Sequence, residues 1–375
     1  MEKERVNMII KNAKVYKENN TFEVQDIYIE NELITGEEAS NDEVIDATGL
    51  YAIPGLTDIH FHGCVGHDFC DGTQKAIEEI AKYQANNGVT TICPATMTLG
   101  EDTLLKIAKV AAKDGAILTG INMEGPYVSV EKKGAQNPAY IRKPDIEMYR
   151  RIQKESGDLI KLVAIAPEEE GAMEFISELK DEVILSLAHT TADYDTAYEA
   201  LSKGANHITH LYNAMPPFSH REPGVVGAAC DKPECMVELI CDGIHIHPSV
   251  IRATFKMFGD DRIILISDSM MATGMPDGEY SLGGQAVKVA DHKATLVTDG
   301  AIAGSATNLM DCMRNIVKNM GIPLETAVKC AAVNPAKSIG IYDKYGSIMP
   351  GKVANIVLLD KDLNIKSVIL KGKEI

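Results

Sequence analysis

The chain has 375 residues, 45% of them hydrophobic and 24% charged, which are the proportions of a soluble globular protein rather than a disordered or fibrous one. Its 54 acidic residues outnumber 37 basic ones and leave a formal charge of -17, a mean field that disfavours nucleic acid and anionic membrane surfaces as partners. No apolar run approaches the roughly 18 residues of a membrane span, and the charged start MEKER is no secretory signal, so a cytoplasmic location is expected.

In chain order, residues 6–16 and 22–34 carry β-branched residues on either side of the turn-forming Glu18, Asn19 and Asn20, and read as strands. From residue 51 onward, apolar β-rich runs alternate with amphipathic helical patterns. The β runs fall at 51–60, 89–93, 117–123, 160–165, 183–188, 207–210, 236–241 and 263–267, and helices are predicted between them, for example over 74–86, 102–113 and 194–202. Eight such runs with intervening helices fit a TIM-like (β/α)8 barrel better than an open doubly wound sheet. The rhythm breaks between Gly274 and Gly304. Gly278, Gly283, Gly284 and the alternation over 286–289 predict a β-hairpin inserted after the eighth strand. Helical patterns return over 306–319 and 323–332, and strands over 355–359 and 366–370. The two chain ends, 1–53 and 343–375, are therefore expected to form one small β-sandwich domain beside a catalytic barrel of residues 54–342. The eight cysteines include no CxxC pair, and Cys93, Cys230, Cys241 and Cys330 lie among apolar or small residues, as reduced core thiols do.

The stretch GLTDIHFHG at 55–63 ends the first barrel run with His60 and His62. Residues i and i+2 of a strand share a face, so both imidazoles can reach one metal ion. An HxH pair also fits two histidines closing a strand on satisfied hydrogen bonds. In a barrel, however, residues just after the strands meet at one rim, and there the sequence also places Glu124, His189, His210, Asp242, His245 and Asp268. Nitrogen and oxygen ligands without thiolate suit a borderline divalent ion such as zinc or iron, and leave a coordination position open for water.

In the order HxH, Glu, His, His, Asp, with DATG at 46–49 before them and GSIMPGK at 346–352 after, these residues resemble the amidohydrolase superfamily. EGPY at 124–127, THLYNAMP at 209–216, REPG at 221–224, DGIH at 242–245 and AGS at 303–305 resemble, within it, the N-acetylglucosamine-6-phosphate deacetylase family, over nearly the whole chain. The resemblance implies a hydrolase that deacetylates a phosphosugar, with one or two divalent ions, zinc or iron, per subunit. By it Glu124, His189 and His210 match the principal metal ligands and Asp268 the catalytic acid/base. Ala135, Gln136, Asn213, Ala214, Arg221, His245, Ile302, Ala303 and Gly304 match substrate-binding positions. It further implies a homodimer in which Arg221 can reach the neighbouring subunit's site.

Family members differ at the first strand, and this chain keeps His60 and His62, which adds a second metal position. Gln136 stands where well-known members carry a histidine; an amide can donate a hydrogen bond but carries no positive charge. Two alternatives stand beside this reading. Another amidohydrolase, opening a cyclic amide or cleaving a different N-acyl sugar, would share the metal site without needing Arg221. A barrel kept as a non-catalytic scaffold would have lost ligands, and all are present.

Overall fold

The computed structural model describes residues 7–36, 43–111 and 113–375. The expected strand onset at Val6 and the charged residues 1–5 lie outside them. Strand Asn7–Tyr16 organises the small β domain because its two edges serve different neighbours. On one edge it runs antiparallel to Phe22–Glu30, with a register shift between Ile10 and Ala13. On the other it pairs in parallel with Glu43–Asp46 through its first half and with Tyr51–Pro54 through its second. Strand Ile356–Leu359 then pairs antiparallel with Tyr51–Pro54 and passes the sheet on to Ile365–Leu370. Both chain ends thus share one branched sheet. Met8, Ile10, Ala13, Val15, Ala52, Ile356 and Leu358 form its own apolar cluster.

The expected first barrel run, 51–60, is two strands in two sheets. Tyr51–Pro54 belongs to the β domain, whereas Leu56–Asp58 pairs in parallel with Val89–Ile92. Gly55 makes the change. Its N–H donates to Asn355 O at 2.9 Å, and a Cβ there would lie 2.2 Å from Thr90 Oγ1, so no other residue fits without displacement.

Ile117–Leu118 pairs in parallel with Val89–Ile92, and the barrel continues through Ile121–Tyr127, Ile160–Ile165, Ile184–Leu187, His207–Ile208, Met236–Ile240 and Ile263–Ile266, each parallel to the next. The bridge Ala95–Asn122 joins strands two and three, and the Asp268 N–H donating to His60 O at 2.9 Å ties strand eight to strand one. Alternation along the strands sorts the side chains. Ile263 and Leu265 join the main core against the helices, while Ile264 and Ile266 pack with Ile59, Cys93, Leu162 and Ile240 in a separate cluster of the opposite parity.

Helices cover the outside where the 3.6-residue pattern placed them. Gln74–Asn86, capped by the Thr73 hydroxyl, buries Ile77, Ile80 and Ala81. The helix expected over 102–113 is shorter, Glu101–Ala108. The insertion after strand eight is a three-stranded meander, Gly278–Leu282, Gln285–Ala290 and Lys293–Leu296, rather than a hairpin. All eight cysteines are free thiols, and among the described residues no helix is long and apolar enough to cross a membrane.

Candidate active site

Five of the six candidate metal and acid/base residues follow a barrel strand, His60 and His62 strand one, His189 strand five, His210 strand six and Asp268 strand eight, while Glu124 lies within strand three, Ile121–Tyr127. None of the six is more than 7% exposed. His189, His210 and Asp268 adopt left-handed backbone, with φ of 44°, 29° and 48°. Such a conformation costs a residue with a Cβ roughly 1–2 kcal/mol, and it survives where surrounding bonds enforce it. Here they do. Next to His189, Thr190 N–H donates to Ala214 O at 3.0 Å and the Thr191 hydroxyl donates to Glu168 at 2.9 Å. Asp268 O accepts from Ser305 N–H at 2.7 Å, so the residue is clamped between strand one and the segment after the meander.

The side chains form two groups, His60–His62–Asp268 and Glu124–His189–His210, with the ligand atoms of each within 4.8 Å of one another. Glu124 joins the groups. Its Oε1 lies 3.1 Å from His189 Nε2, 3.2 Å from His210 Nε2 and 3.4 Å from His60 Nε2, and its Oε2 lies 3.3 Å from His62 Nε2. Asp268 Oδ1 lies 3.3 Å from His62 Nε2. Burial alone would raise the Glu124 carboxyl, but His60, His189 and His210 around it hold it well below the usual carboxylate range. Asp268 is likewise lowered against its burial, chiefly by His62 and His60.

Two features fit a metal ion. His189 Nε2 and His210 Nε2 face each other at 3.1 Å, a contact that needs a proton or a cation between the lone pairs. His60 Nε2 is buried without a hydrogen-bond partner, although Glu124 and Asp268 converge on it. Imidazole and carboxylate donors with an open side suit a catalytic divalent ion.

Above the groups opens a cavity of about 380 Å³. The structure brings Ala135, Gln136, Asn213, Ala214, His245, Ile302, Ala303 and Gly304 to its wall, together with His62, Glu124, His189, His210 and Asp268. His60 lies beneath it, fully buried. Gln136 is held at both ends: its Oε1 accepts from Thr98 N–H at 2.6 Å and its Nε2 donates to Glu124 Oε2 at 2.8 Å. His245 Nδ1 bonds Asp242 Oδ2 at 2.7 Å, while Asp242 Oδ1 accepts the N–H groups of Ile244 and His245. The meander forms one side of the cavity through Leu282, and Gln285 Nε2 donates to Ala135 O at 2.9 Å.

Arg221 is not in this cavity. It is exposed, with Nη1 2.7 Å from His220 Nε2, and lines a separate hollow of about 820 Å³ beside Tyr194, Pro216, Pro217 and Glu222. Among the described residues the only lysine or arginine on the catalytic cavity's wall is Lys132, which the sequence pattern did not single out. Sequence reasoning also missed Glu238 and His207, buried under the site and 3.0 Å apart. The available signal was a lone carboxylate inside the apolar strand Met236–Ile240.

The sequence profile described as the Amidohydrolase family matches residues 51–375. The chain is 38% identical over 330 residues to the N-acetylglucosamine-6-phosphate deacetylase of Bacillus subtilis, covering 85% of this chain and 83% of that protein. The solved N-acetylglucosamine-6-phosphate deacetylase of Pasteurella multocida is 30% identical and superposes with a TM-score of 0.92, covering 98% of this chain and 99% of that one. A mutant of the Mycobacterium smegmatis enzyme, solved in complex with N-acetyl-D-glucosamine-6-phosphate, is 29% identical with a TM-score of 0.90 and covers 99% of each chain.

Proposed function

Given that this chain belongs to the amidohydrolase family, we propose that it is a metal-dependent hydrolase converting N-acetyl-D-glucosamine 6-phosphate to D-glucosamine 6-phosphate and acetate, in amino-sugar catabolism and cell-wall recycling. The observation that carries this reading is the pair of histidine–carboxylate groups, joined by Glu124, at the floor of a cavity walled by residues that the family resemblance matches to substrate-binding positions.

Glu124, His189 and His210 would hold one divalent ion, zinc or iron, and His60, His62 and Asp268 a second. A bound ion supplies Lewis acidity, which lets water ionise near neutral pH and polarises the acetamide carbonyl. The chain's own groups do the rest. Asp268, kept ionised by its histidines, accepts a proton from the attacking water. The water oxygen adds to the carbonyl carbon, the C–N bond breaks, and Asp268 returns the proton to the departing amine. Gln136 has a second amide N–H beyond the one given to Glu124, and it can donate to the carbonyl oxygen in place of a charged imidazolium.

Asn213, Ala214 and His245 bind the phosphosugar, and Ala135, Ile302, Ala303 and Gly304 shape the wall around it. Arg221 lies outside its own subunit's cavity, which supports a homodimer in which each guanidinium enters the neighbour's site to meet the phosphate. The test is acetate release by the zinc- and iron-reconstituted chain, from the phosphorylated and the unphosphorylated acetyl sugar. Strong preference for the phosphosugar is expected, and no release from it with either ion would overturn the assignment.

A further inference from the structure

Under the cavity lies a carboxylate that takes no part in the chemistry above. Glu238 sits mid-strand in Met236–Ile240, fully buried, with the same parity as Ile240 and opposite to Val237 and Leu239, which pack outward into the main core. It therefore points into the barrel. Its Oε2 bonds His60 Nδ1 at 2.9 Å and accepts the His210 backbone N–H at 3.1 Å, while its Oε1 faces His207 Nε2 at 3.0 Å. One side chain on strand seven thereby ties together strands one and six.

The chemistry of these bonds fixes more than position. An ionised carboxylate only accepts, so when His60 ligates a metal ion as a neutral ring its proton lies on Nδ1 and its lone pair on Nε2. That Nε2 is the buried atom without a partner, 3.4 Å from Glu124 Oε1 and 3.8 Å from Asp268 Oδ1. Without Glu238 the ring could turn or take the other tautomer, and would then present an N–H to the cluster. A ligating histidine is commonly held in this way, its far nitrogen donating to a carboxylate.

We infer that Glu238 is a positioning residue: it aims the His60 Nε2 lone pair at Glu124 and Asp268 and, through the His210 N–H, sets the backbone of a ligand in the other group. One buried carboxylate then governs both halves of the site. The inference rests on the metal reading above.

The test uses the full chain, stripped with a chelator and dialysed. Zinc affinity is measured by competition with a chromogenic chelator, and the visible d–d absorption is recorded after loading with cobalt. Parent, Glu238→Gln and Glu238→Asp are compared, the last two giving independent chances of a folded variant. Glutamine keeps the shape but has one acceptor oxygen and no charge; aspartate keeps the charge but withdraws it from His60. Zinc affinity is expected to fall roughly 10–100-fold in Glu238→Gln, less in Glu238→Asp, with an altered cobalt spectrum in both. A purely structural role would lower the melting temperatures of apo and zinc-loaded protein alike and leave affinity unchanged. Parent-like affinity and spectrum in either folded variant overturn the inference while sparing the metal reading. A parent chain that binds neither ion overturns both.

Discussion

Asp268 Oδ1 lies 3.3 Å from His62 Nε2, and the residue faces the cavity with its charge secured by histidines, as the proposed proton carrier requires. Asp268→Asn cannot accept the water proton, so kcat should fall about 10²–10⁴-fold, measured as acetate release. His189→Ala should lose the ion of the Glu124–His189–His210 group as well as turnover, whereas Asp268→Asn should keep that ion, which metal content per chain will show. His245 offers a pH test. Burial opposes its charge, but the Asp242 hydrogen bond and carboxylate outweigh it, so its pKa is raised. A raised histidine keeps its positive charge to higher pH, and in the proposed binding mode the attraction of His245 for phosphate would be lost as pH rises through that value. Asp242→Asn should therefore make KM for the phosphosugar worsen at lower pH than in the parent; superimposable KM profiles would contradict this. Residues at strand ends were legible in the sequence because a barrel sends all of them to one rim. Glu238 was marked only as a lone carboxylate inside an apolar strand, and that local signal does not name its partner His60, 178 positions away.

Elements were legible wherever a period repeated and lost wherever tertiary pairing overrode it. Helix Gln74–Asn86 has both its cap and its pattern, and it occurs where expected. The run 51–60 shows one continuous β signal, yet two sheets divide it, because Asn355 and Thr90 act on Gly55 from distant parts of the chain. Gly55→Ala should consequently cost roughly 1–3 kcal/mol or more, read from the urea midpoint, since its Cβ meets Thr90 side-chain atoms at 2.2 and 2.3 Å. A parent-like midpoint would mean that the junction yields easily. The meander's third strand escaped notice for a similar reason. Lys293–Leu296 is only four residues long, and its pairing with Gln285–Ala290 is what makes it a strand. Beyond Pro323, a helical turn, a π segment and a second helix succeed one another, with Lys329 buried against Asp260 at 3.0 Å, a contact no periodicity reveals.

For the molecule as a whole, a charge of -17 opposes an anionic sugar, so capture depends on local cations. With Arg221 facing outward, removing it should leave the subunit's own cavity intact yet damage turnover. Arg221→Ala is expected to lower kcat/KM for the phosphosugar by roughly 30-fold to several thousandfold, and to change the slow reaction of the unphosphorylated sugar little. Under the proposed homodimer, mixing Arg221→Ala with Asp268→Asn chains should restore activity, because a hybrid would hold one site with an intact aspartate and a partner's arginine. Absence of rescue in verified hybrids would place the arginine within its own subunit.

The depth of the two histidine–carboxylate groups has a kinetic consequence. His60 is inaccessible to solvent and Glu124 is 2% exposed, so an ion leaves through the same mouth by which the sugar enters. Loading is then ordered, ion before sugar, and an occupied site traps its ion. Inactivation by a chelator should slow as glucosamine 6-phosphate is added, with a half-life that lengthens in inverse proportion to the unoccupied fraction, whereas unphosphorylated glucosamine at the same concentration should protect far less.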